Sequence, residues 1–306
     1  MKQFNNSEYE AMVKDFLGDT FYTETSYRGK IATLRSYAEV IVRKLLDLKP
    51  KQKMTLGNFK IEKKIKELPN IPNSDIVLNA IGIINSTGSD YTHTQKTNEA
   101  TKDEFNNAVN SVMDLLSVLL INYFEKYEFG TKNEVMYSFS ILPPIIRYKV
   151  LSALYEKYPN NISLIDKLVL SILKAFNTDT AILWVEERKE VLNKLKTISE
   201  KAVNEISENM GSIAAIQIQN ALHSNMYELC KYKIFEVGKI IAAKGCLYSN
   251  FESALPIYKE NGILPGDEPE IVEFNDIMNF LYLGRKENLI DLPKDSNSYI
   301  IMNFIS

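Results

Sequence analysis

The chain has 306 residues, of which 45% are hydrophobic and 25% are charged, and its formal net charge is −3. This length corresponds to about two globular domains and is sufficient to fold without a disulfide or metal staple. The two cysteines form no CxxC pair, which argues against a zinc site and a secreted disulfide scaffold. With no signal-peptide core and no uninterrupted apolar run of about 18 residues, we expect a cytoplasmic protein with no membrane segment.

The first long helix is predicted at residues 26–48. Apolar side chains recur there at steps of three and four, which indicates an amphipathic helix, and Pro50 terminates it. Arg35, Glu39 and Arg43 are spaced four residues apart and therefore share another face of this helix.

Further helices are predicted on both sides of a domain boundary at residues 129 and 130. In the first domain, residues 1–129, they cover 57–68, 75–84 and 102–128, the last opened by a capping box of Thr101 and Glu104. In the second domain, residues 130–306, they cover 144–155, 163–176, 178–210 and 213–243, the last two as an antiparallel hairpin. Proline and glycine recur beyond Leu247, so residues 247–306 are expected to be an irregular acidic tail. The predicted fold class is mainly all-α, with residues 298–305 either a terminal strand or a buried segment.

The charges are distributed unevenly. Residues 43–66 contain nine basic and two acidic side chains, whereas residues 247–306 contain four basic and ten acidic ones. This asymmetry fits a polyanion-binding surface, electrostatic docking of one end of the chain on the other, or a solvated lysine-rich loop. The candidate nucleic-acid-binding residues are Arg43, Lys60, Lys63 and Lys64.

The usual catalytic signatures are missing, since the chain has no GxxxxGK[ST], GxGxxG, GxSxG or HExxH motif. The two histidines, His93 and His223, lie in different domains, which gives little support to a histidine metal site or a Ser-His-Asp triad. We therefore expect no metal and no cofactor. In the second domain, Arg147 and Tyr148 follow a double proline, where they either meet an anion or simply begin a helix.

Three segments of the first domain are informative together. They are the arginine-rich helix from Tyr27 to Lys44, the short helix opened by Thr55-Leu-Gly-Asn, and a polar turn, Gly88-Ser-Asp-Tyr-Thr-His93, before the helix at 102–128. With these features, residues 20–127 resemble a bacterial branch of the HEPN superfamily. The resemblance implies a four- or five-helix antiparallel bundle, homodimers, and a place in bacterial toxin or phage-defence systems.

Active HEPN proteins are metal-independent endoribonucleases, in which a histidine is the general acid and base and an arginine a few residues earlier stabilises phosphate charge. His93 matches the histidine, whereas positions 85 to 89 are Asn, Ser, Thr, Gly and Ser. Arg28, Arg35 or Arg43, from the neighbouring helix or a dimer partner, is the candidate substitute. The candidate catalytic residues are His93, Asp90 and Arg35.

His93 has other interpretations, because a neutral imidazole also suits a helix cap, a hydrogen bond to Glu39, or a nucleotide or other ligand. Two functional hypotheses follow. In the first, the protein acts on RNA or RNA-associated machinery, with the basic residues binding phosphates. In the second, it is a non-catalytic dimerising module whose residues 130–306 bind a protein partner or a phage trigger.

Overall fold

The computed structural model describes residues 4–57, 63, 74–92, 97–198, 200–221 and 223–287. Every regular element within these residues is helical and none is a strand, which confirms the all-α prediction. The chain divides into two compact units, unit 1 with Met1–Tyr127 and Ile257–Glu287, and unit 2 with Glu128–Pro256. The first division lies within two residues of the predicted boundary.

Unit 1 is a helical bundle. Among its described residues before Tyr127 are a π-helical turn at Gly18–Tyr22 and the α-helices α1 (Asn6–Leu17), α2 (Tyr27–Leu45), α3 (Ser74–Thr92) and α4 (Lys102–Lys126). Helices α2, α3 and α4 pack on one another, and α1 packs on α2. The predicted capping box is present at the start of α4, where Thr101 and Glu104 bond to each other's backbone.

Helix α4 is the core helix of this bundle. It is the one described helix whose length and composition would allow it to cross a membrane. Two-thirds of its most apolar stretch is buried within the protein, including Val112, Leu116 and Leu119 of the predicted stripe. Its apolar surface is therefore already covered by neighbouring helices.

Helix α3 corrects the prediction of a turn at residues 88–93. The helix extends from Ser74 through the polar residues as far as Thr92. The polar residues predicted to form a turn remain in the helix because neighbouring helices supply hydrogen-bond partners for their side chains. Asn85 bonds to α2, and Tyr91 bonds to α4.

Unit 2 is also helical. Its elements are α5 (Asn133–Ser140), α6 (Pro144–Lys157), α7 (Ile162–Ala175), α8 (Thr178–Glu187), α9 (Lys189–Leu192), α10 (Glu200–Met210), α11 (Ser212–Ala221) and α12 (Met226–Lys244). Helices α6 and α7 pack on each other, and α12 packs on α7 and α8. Helices α10 and α11 pack on each other around a turn at Gly211.

The two long helices predicted at 178–210 and 213–243 are each interrupted. Asn225 accepts a hydrogen bond from the Glu228 N–H and so starts α12 anew. The two interruptions bond to each other, because the Met226 N–H donates to the Leu195 carbonyl at 2.9 Å and the Thr197 hydroxyl to the His223 carbonyl at 3.0 Å. His223 therefore lies between helices and not in the middle of one.

The C-terminal tail differs from the prediction. The described part of residues 247–306 contains two helices, α13 (Phe251–Asn261) and α14 (Pro269–Tyr282). Pro256 lies inside α13 and Pro269 begins α14, so these prolines do not exclude helical structure. Residues 257–287 belong to unit 1, and Glu273 of α14 forms an ion pair with Lys126 of α4 at 2.6 Å. Residues 298–305 lie outside the described residues.

Lys44, near the end of α2, ties α14 to the N-terminal helices. Its side chain is fully buried, and Nζ lies 2.6 Å from Asp276 Oδ2 and 2.8 Å from Asn6 Oδ1. The ring centroids of Phe4 and Phe280 lie 5.1 and 5.2 Å from Nζ. Burial lowers the pKa of Lys44, and Asp276 opposes that shift. A buried ammonium is tolerated only with such partners, so this pair holds α14 in unit 1.

We predict that Asp276→Ala lowers the free energy of unfolding by about 3 kcal/mol, because it leaves the buried Lys44 without its carboxylate. The double variant Lys44→Met/Asp276→Ala should recover most of this loss, since both charges are then removed. Urea unfolding followed by circular dichroism measures both. As a control, Glu10→Ala breaks an exposed ion pair with Lys14 and should leave the midpoint almost unchanged. Equal stability of the Asp276→Ala single and double variants would contradict the prediction.

Candidate functional site

A polar cluster lies between α2 and α3. The Arg35 guanidinium donates to Asn85 Oδ1 at 3.3 Å and lies 3.8 Å from Glu39 Oε1. Its Nε is buried and has no hydrogen-bond acceptor among the described residues. About a quarter of the side chain is exposed. Arg35 is therefore held in place by a carboxylate and an amide, while part of its charge remains accessible to a ligand.

Two glycines make room for this cluster. A Cβ added at Gly88 would lie 2.8 Å from Arg35 Cδ and 3.1 Å from Arg35 Cβ, so the stem of Arg35 crosses α3 at this residue. Gly57 has a φ of +78°, and a Cβ there would lie 2.6 Å from Asn85 Nδ2. Glycine is needed at both positions because the neighbouring polar side chains lie directly against the backbone.

The loop after α2 approaches the same cluster. Glu39 Oε1 accepts a hydrogen bond from the Leu56 N–H at 3.4 Å, one residue before Gly57. Earlier in this loop, three lysines, Lys49, Lys51 and Lys53, are exposed to solvent. A basic loop therefore leads directly to the Arg35 side chain.

Arg43, a candidate nucleic-acid-binding residue, contacts the basic loop. Its guanidinium donates to the backbone carbonyls of Gln52 at 2.8 Å and Lys49 at 3.5 Å. These bonds fold the basic loop against the end of α2. Arg43 therefore bonds to the loop, whereas Arg35 bonds to Asn85 and pairs with Glu39. The role of Arg43 in nucleic-acid binding stays a prediction.

Arg28 organises the other end of α3. Its guanidinium lies over the Tyr91 ring, 5.4 Å from the centroid, and donates to the Asn98 carbonyl at 3.2 Å. The Tyr91 hydroxyl donates to Glu104 Oε2 at 2.7 Å, which links α3 to the start of α4. Arg28 thus contacts both Tyr91 and Asn98, which flank positions 92–97, and it lies two turns before Arg35 on α2.

The sequence-predicted site residues are distributed as follows. Arg35 lies in the polar cluster, and Lys63 is exposed. Asp90 lies in the last turn of α3, but its side chain lies outside the described part. His93, Lys60 and Lys64 also lie outside the described residues. The predicted contact between His93 and Glu39 therefore stays a prediction.

Sequence reasoning missed Asn85 and Gly57 as parts of the cluster, and Tyr91 as a contact of Arg28. Asn85 and Gly57 are 28 positions apart in the numbering, and only the packing of the loop against α3 brings them together. The resemblance had treated residues 85–89 as the place of an absent arginine. The signal in the sequence for a close contact there was Gly88, a glycine among small polar residues. The residues that the structure describes contain no group of three or more His, Cys, Asp or Glu side chains suited to a metal ion.

Comparisons of the chain with protein-family models, with curated proteins and with solved structures found no match. An inference about function therefore depends on the chemistry of the residues themselves. In unit 1 these residues are Arg35, whose charge is only partly balanced by Glu39, and Arg28 on the same helix. The basic loop ends beside Arg35.

We predict opposite effects for two glycine-to-alanine substitutions in α3. Gly82 is exposed with no neighbour within 4 Å of an added Cβ, so Gly82→Ala should stabilise the helix by about 0.5–1 kcal/mol. Gly88→Ala should lose this gain or destabilise, because its Cβ displaces Arg35. The double variant Gly88→Ala/Arg35→Ala should recover the stabilisation of the helix that alanine provides. Thermal unfolding of all three variants measures this, and matching gains from Gly82→Ala and Gly88→Ala would show that Arg35 does not pack there.

Proposed function

We propose that this chain is a HEPN-like protein of toxin or phage-defence type that cleaves RNA without a metal, using Arg35 in place of the arginine absent from α3. The observation that carries the proposal is the contact of Arg35 with Gly88, five positions before His93 in the numbering. The aliphatic stem of Arg35 lies against Gly88 and its guanidinium bonds to Asn85, so Arg35 of α2 reaches the segment in which active HEPN proteins carry their own arginine.

Each candidate residue has a defined task in this reaction. RNA brings its own nucleophile, the 2′-hydroxyl, which attacks the adjacent phosphate and expels the 5′-oxygen of the next nucleotide. His93 would take the proton from the 2′-hydroxyl or give one to the leaving oxygen. Arg35 would stabilise the negative charge that grows on the phosphate, and Asp90 would orient the imidazole. Glu39 and Asn85 hold the guanidinium before substrate arrives.

The basic loop supports the choice of RNA as the substrate class. Lys49, Lys51 and Lys53 are exposed, and the loop that carries them ends at the Arg35 cluster. Lysines along such a path attract a phosphate backbone whatever its sequence. They would therefore guide a strand towards Arg28 and Arg35 of α2.

We predict that Arg35→Gln lowers the rate of RNA cleavage about 10²–10³-fold, the usual effect of removing a group that stabilises developing charge. His93→Ala should lower it at least about 10²-fold. The assay uses total RNA and a defined oligoribonucleotide in EDTA, with Arg188→Gln of unit 2 as the matched arginine control. A 2′-deoxy linkage at the cleaved position should resist cleavage. Wild-type activity in the Arg35→Gln variant, or cleavage of the deoxy linkage, would contradict the mechanism.

We also predict that binding of single-stranded RNA weakens steeply with salt, and that Lys49→Gln/Lys51→Gln/Lys53→Gln flattens the dependence. Each lost phosphate contact should lower the slope of log affinity against log salt by about 0.7. Fluorescence anisotropy with an inactive His93→Ala background measures it. A control triple variant removes the same charge from exposed lysines of unit 2: Lys189, Lys194 and Lys196. Equal slopes for the two triple variants would mean that the loop does not contact RNA.

A second candidate function is the non-catalytic interaction module, and one observation favours it. The turn between α10 and α11 exposes three apolar side chains, Met210, Ile213 and Ile216, which are 68%, 72% and 56% exposed. Exposed apolar residues grouped in this way are typical of a protein contact surface. If this function is correct, the wild-type protein should not cleave RNA, and Ile213→Asp/Ile216→Asp should weaken its homodimer in sedimentation experiments.

A further inference from the structure

Unit 2 contains a cluster of positive side chains that the proposed function does not use. Arg147 lies in the first turn of α6, and Lys167 and Lys174 lie on α7, against which α6 packs. The spacing of seven residues puts Lys167 and Lys174 on one face of α7, two turns apart. Lys233 of α12 approaches the same region through its ion pair with Asp166.

Arg147 is the most deeply placed of these side chains. It is 7% exposed, and its buried Nε has no hydrogen-bond acceptor in the described part of the chain. Its guanidinium lies over the ring of Tyr248, 5.9 Å from the centroid, and the Tyr248 hydroxyl is occupied by the Ser140 carbonyl. A buried cation normally has a carboxylate or several oxygen partners, and here an aromatic face takes their place.

The described part of unit 2 does not balance this charge. Asp166 is the carboxylate that raises the pKa of Lys167, and it is ion-paired with Lys233. Neither Lys167 nor Lys174 forms an ion pair with a described carboxylate. Four cationic side chains therefore share the field of one anion, and the positive end of the α6 dipole adds to the same potential.

These positive charges repel one another. Burial lowers the pKa of Lys174 to about 8, and the positive charges of Arg147 and Lys167 add to the effect, opposed by Cys246. Burial also lowers the pKa of Lys167, with Lys233 and Arg147 acting in the same direction and Asp166 against it. A bound anion would relieve this repulsion.

We propose that Arg147, Lys167 and Lys174 bind a phosphate group, either free or at the end of a small ligand such as a mononucleotide. Three cations match a doubly charged oxyanion, and an arginine fork matches its oxygen geometry. The small exposure of Arg147 favours a free or terminal phosphate over the internal phosphates of a polymer. Phe176, at the end of α7 beyond Lys174, is 46% exposed and packs edge-on against Tyr148, which offers an aromatic surface to a nucleotide base.

The test measures the thermal unfolding of the full-length protein at pH 7 and constant ionic strength, with chloride replaced by inorganic phosphate. Phosphate should raise the Tm of the wild type by a few degrees. Lys174→Met and Arg147→Gln should each weaken phosphate affinity about tenfold or more, since each removes a charge-assisted hydrogen bond. The matched control, Lys194→Met, removes an exposed lysine of the same unit and should respond like wild type. Equal phosphate responses of Lys174→Met and Lys194→Met would overturn the proposal.

Titration calorimetry then separates the two sources of the phosphate. Binding of adenosine monophosphate at least as tightly as inorganic phosphate supports the proposal, and so does binding of phosphate alone. Binding of adenosine as tightly as the monophosphate would overturn it, because the phosphate would then contribute nothing. Equal binding of an oligoribonucleotide without terminal phosphates would overturn the assignment of a small ligand.

A second readout follows from the lowered pKa of Lys174 and needs no ligand. Between pH 8 and 10.5 the lysine is deprotonated in the folded chain but protonated in the unfolded one, so its unfavourable effect on stability fades as pH rises through that range. Without phosphate, Lys174→Met should therefore have a higher Tm than wild type at pH 7, and the difference should shrink above pH 8. A lower Tm for Lys174→Met at pH 7 without phosphate would contradict the unbalanced charge on which the proposal depends.

Discussion

The buried ion pair between Lys44 and Asp276 is the constraint on which the arrangement of unit 1 depends. An ammonium with no solvent exposure requires oxygen partners, and its partners come from α1 and from α14, near the two ends of the described chain. The pair therefore makes the first unit discontinuous in sequence. It also fixes the C-terminal end of α2, the helix that carries Arg28 and Arg35 of the candidate site nearer its N-terminus.

The same helix has two different surfaces, and their difference explains how the candidate site arises. One surface carries Ile31, Leu34 and Ile41, which are buried in the bundle. The other carries arginines whose partners are polar groups of α3 and of the loop after α2. Because glycine stands at positions 57 and 88, the loop and α3 approach closely enough to hold Arg35 without neutralising it completely. Close packing of the backbones thus forms the site, and the charge of Arg35 stays only partly balanced.

The buried cations of the two units contrast with each other. Lys44 is balanced by a carboxylate and an amide within its own unit, so it is explained by stability alone. The group formed by Arg147, Lys167 and Lys174 has no such balance among the described residues, and the pKa of Lys174 is lowered to about 8 by burial and by its neighbours. Charge that folding does not neutralise is a reason to look for a ligand. The two proposals rest on different units and can fail separately.

The sequence by itself determined the helical class, the capping box of α4 and the positions of α2, α4, α6 and α7, because apolar periodicity and capping are local properties. It also singled out Arg35 and Arg147 as candidates. Only the tertiary structure decided that α3 continues through the polar residues before His93, that Arg43 folds a loop instead of joining Arg35, and that α14 returns to unit 1. The first and the last of these outcomes depend on partners far away in the chain, such as Arg35 for Asn85 or Lys44 for Asp276. A local pattern records which side chains are polar, but the identity of the group that satisfies each one is settled only when the helices pack.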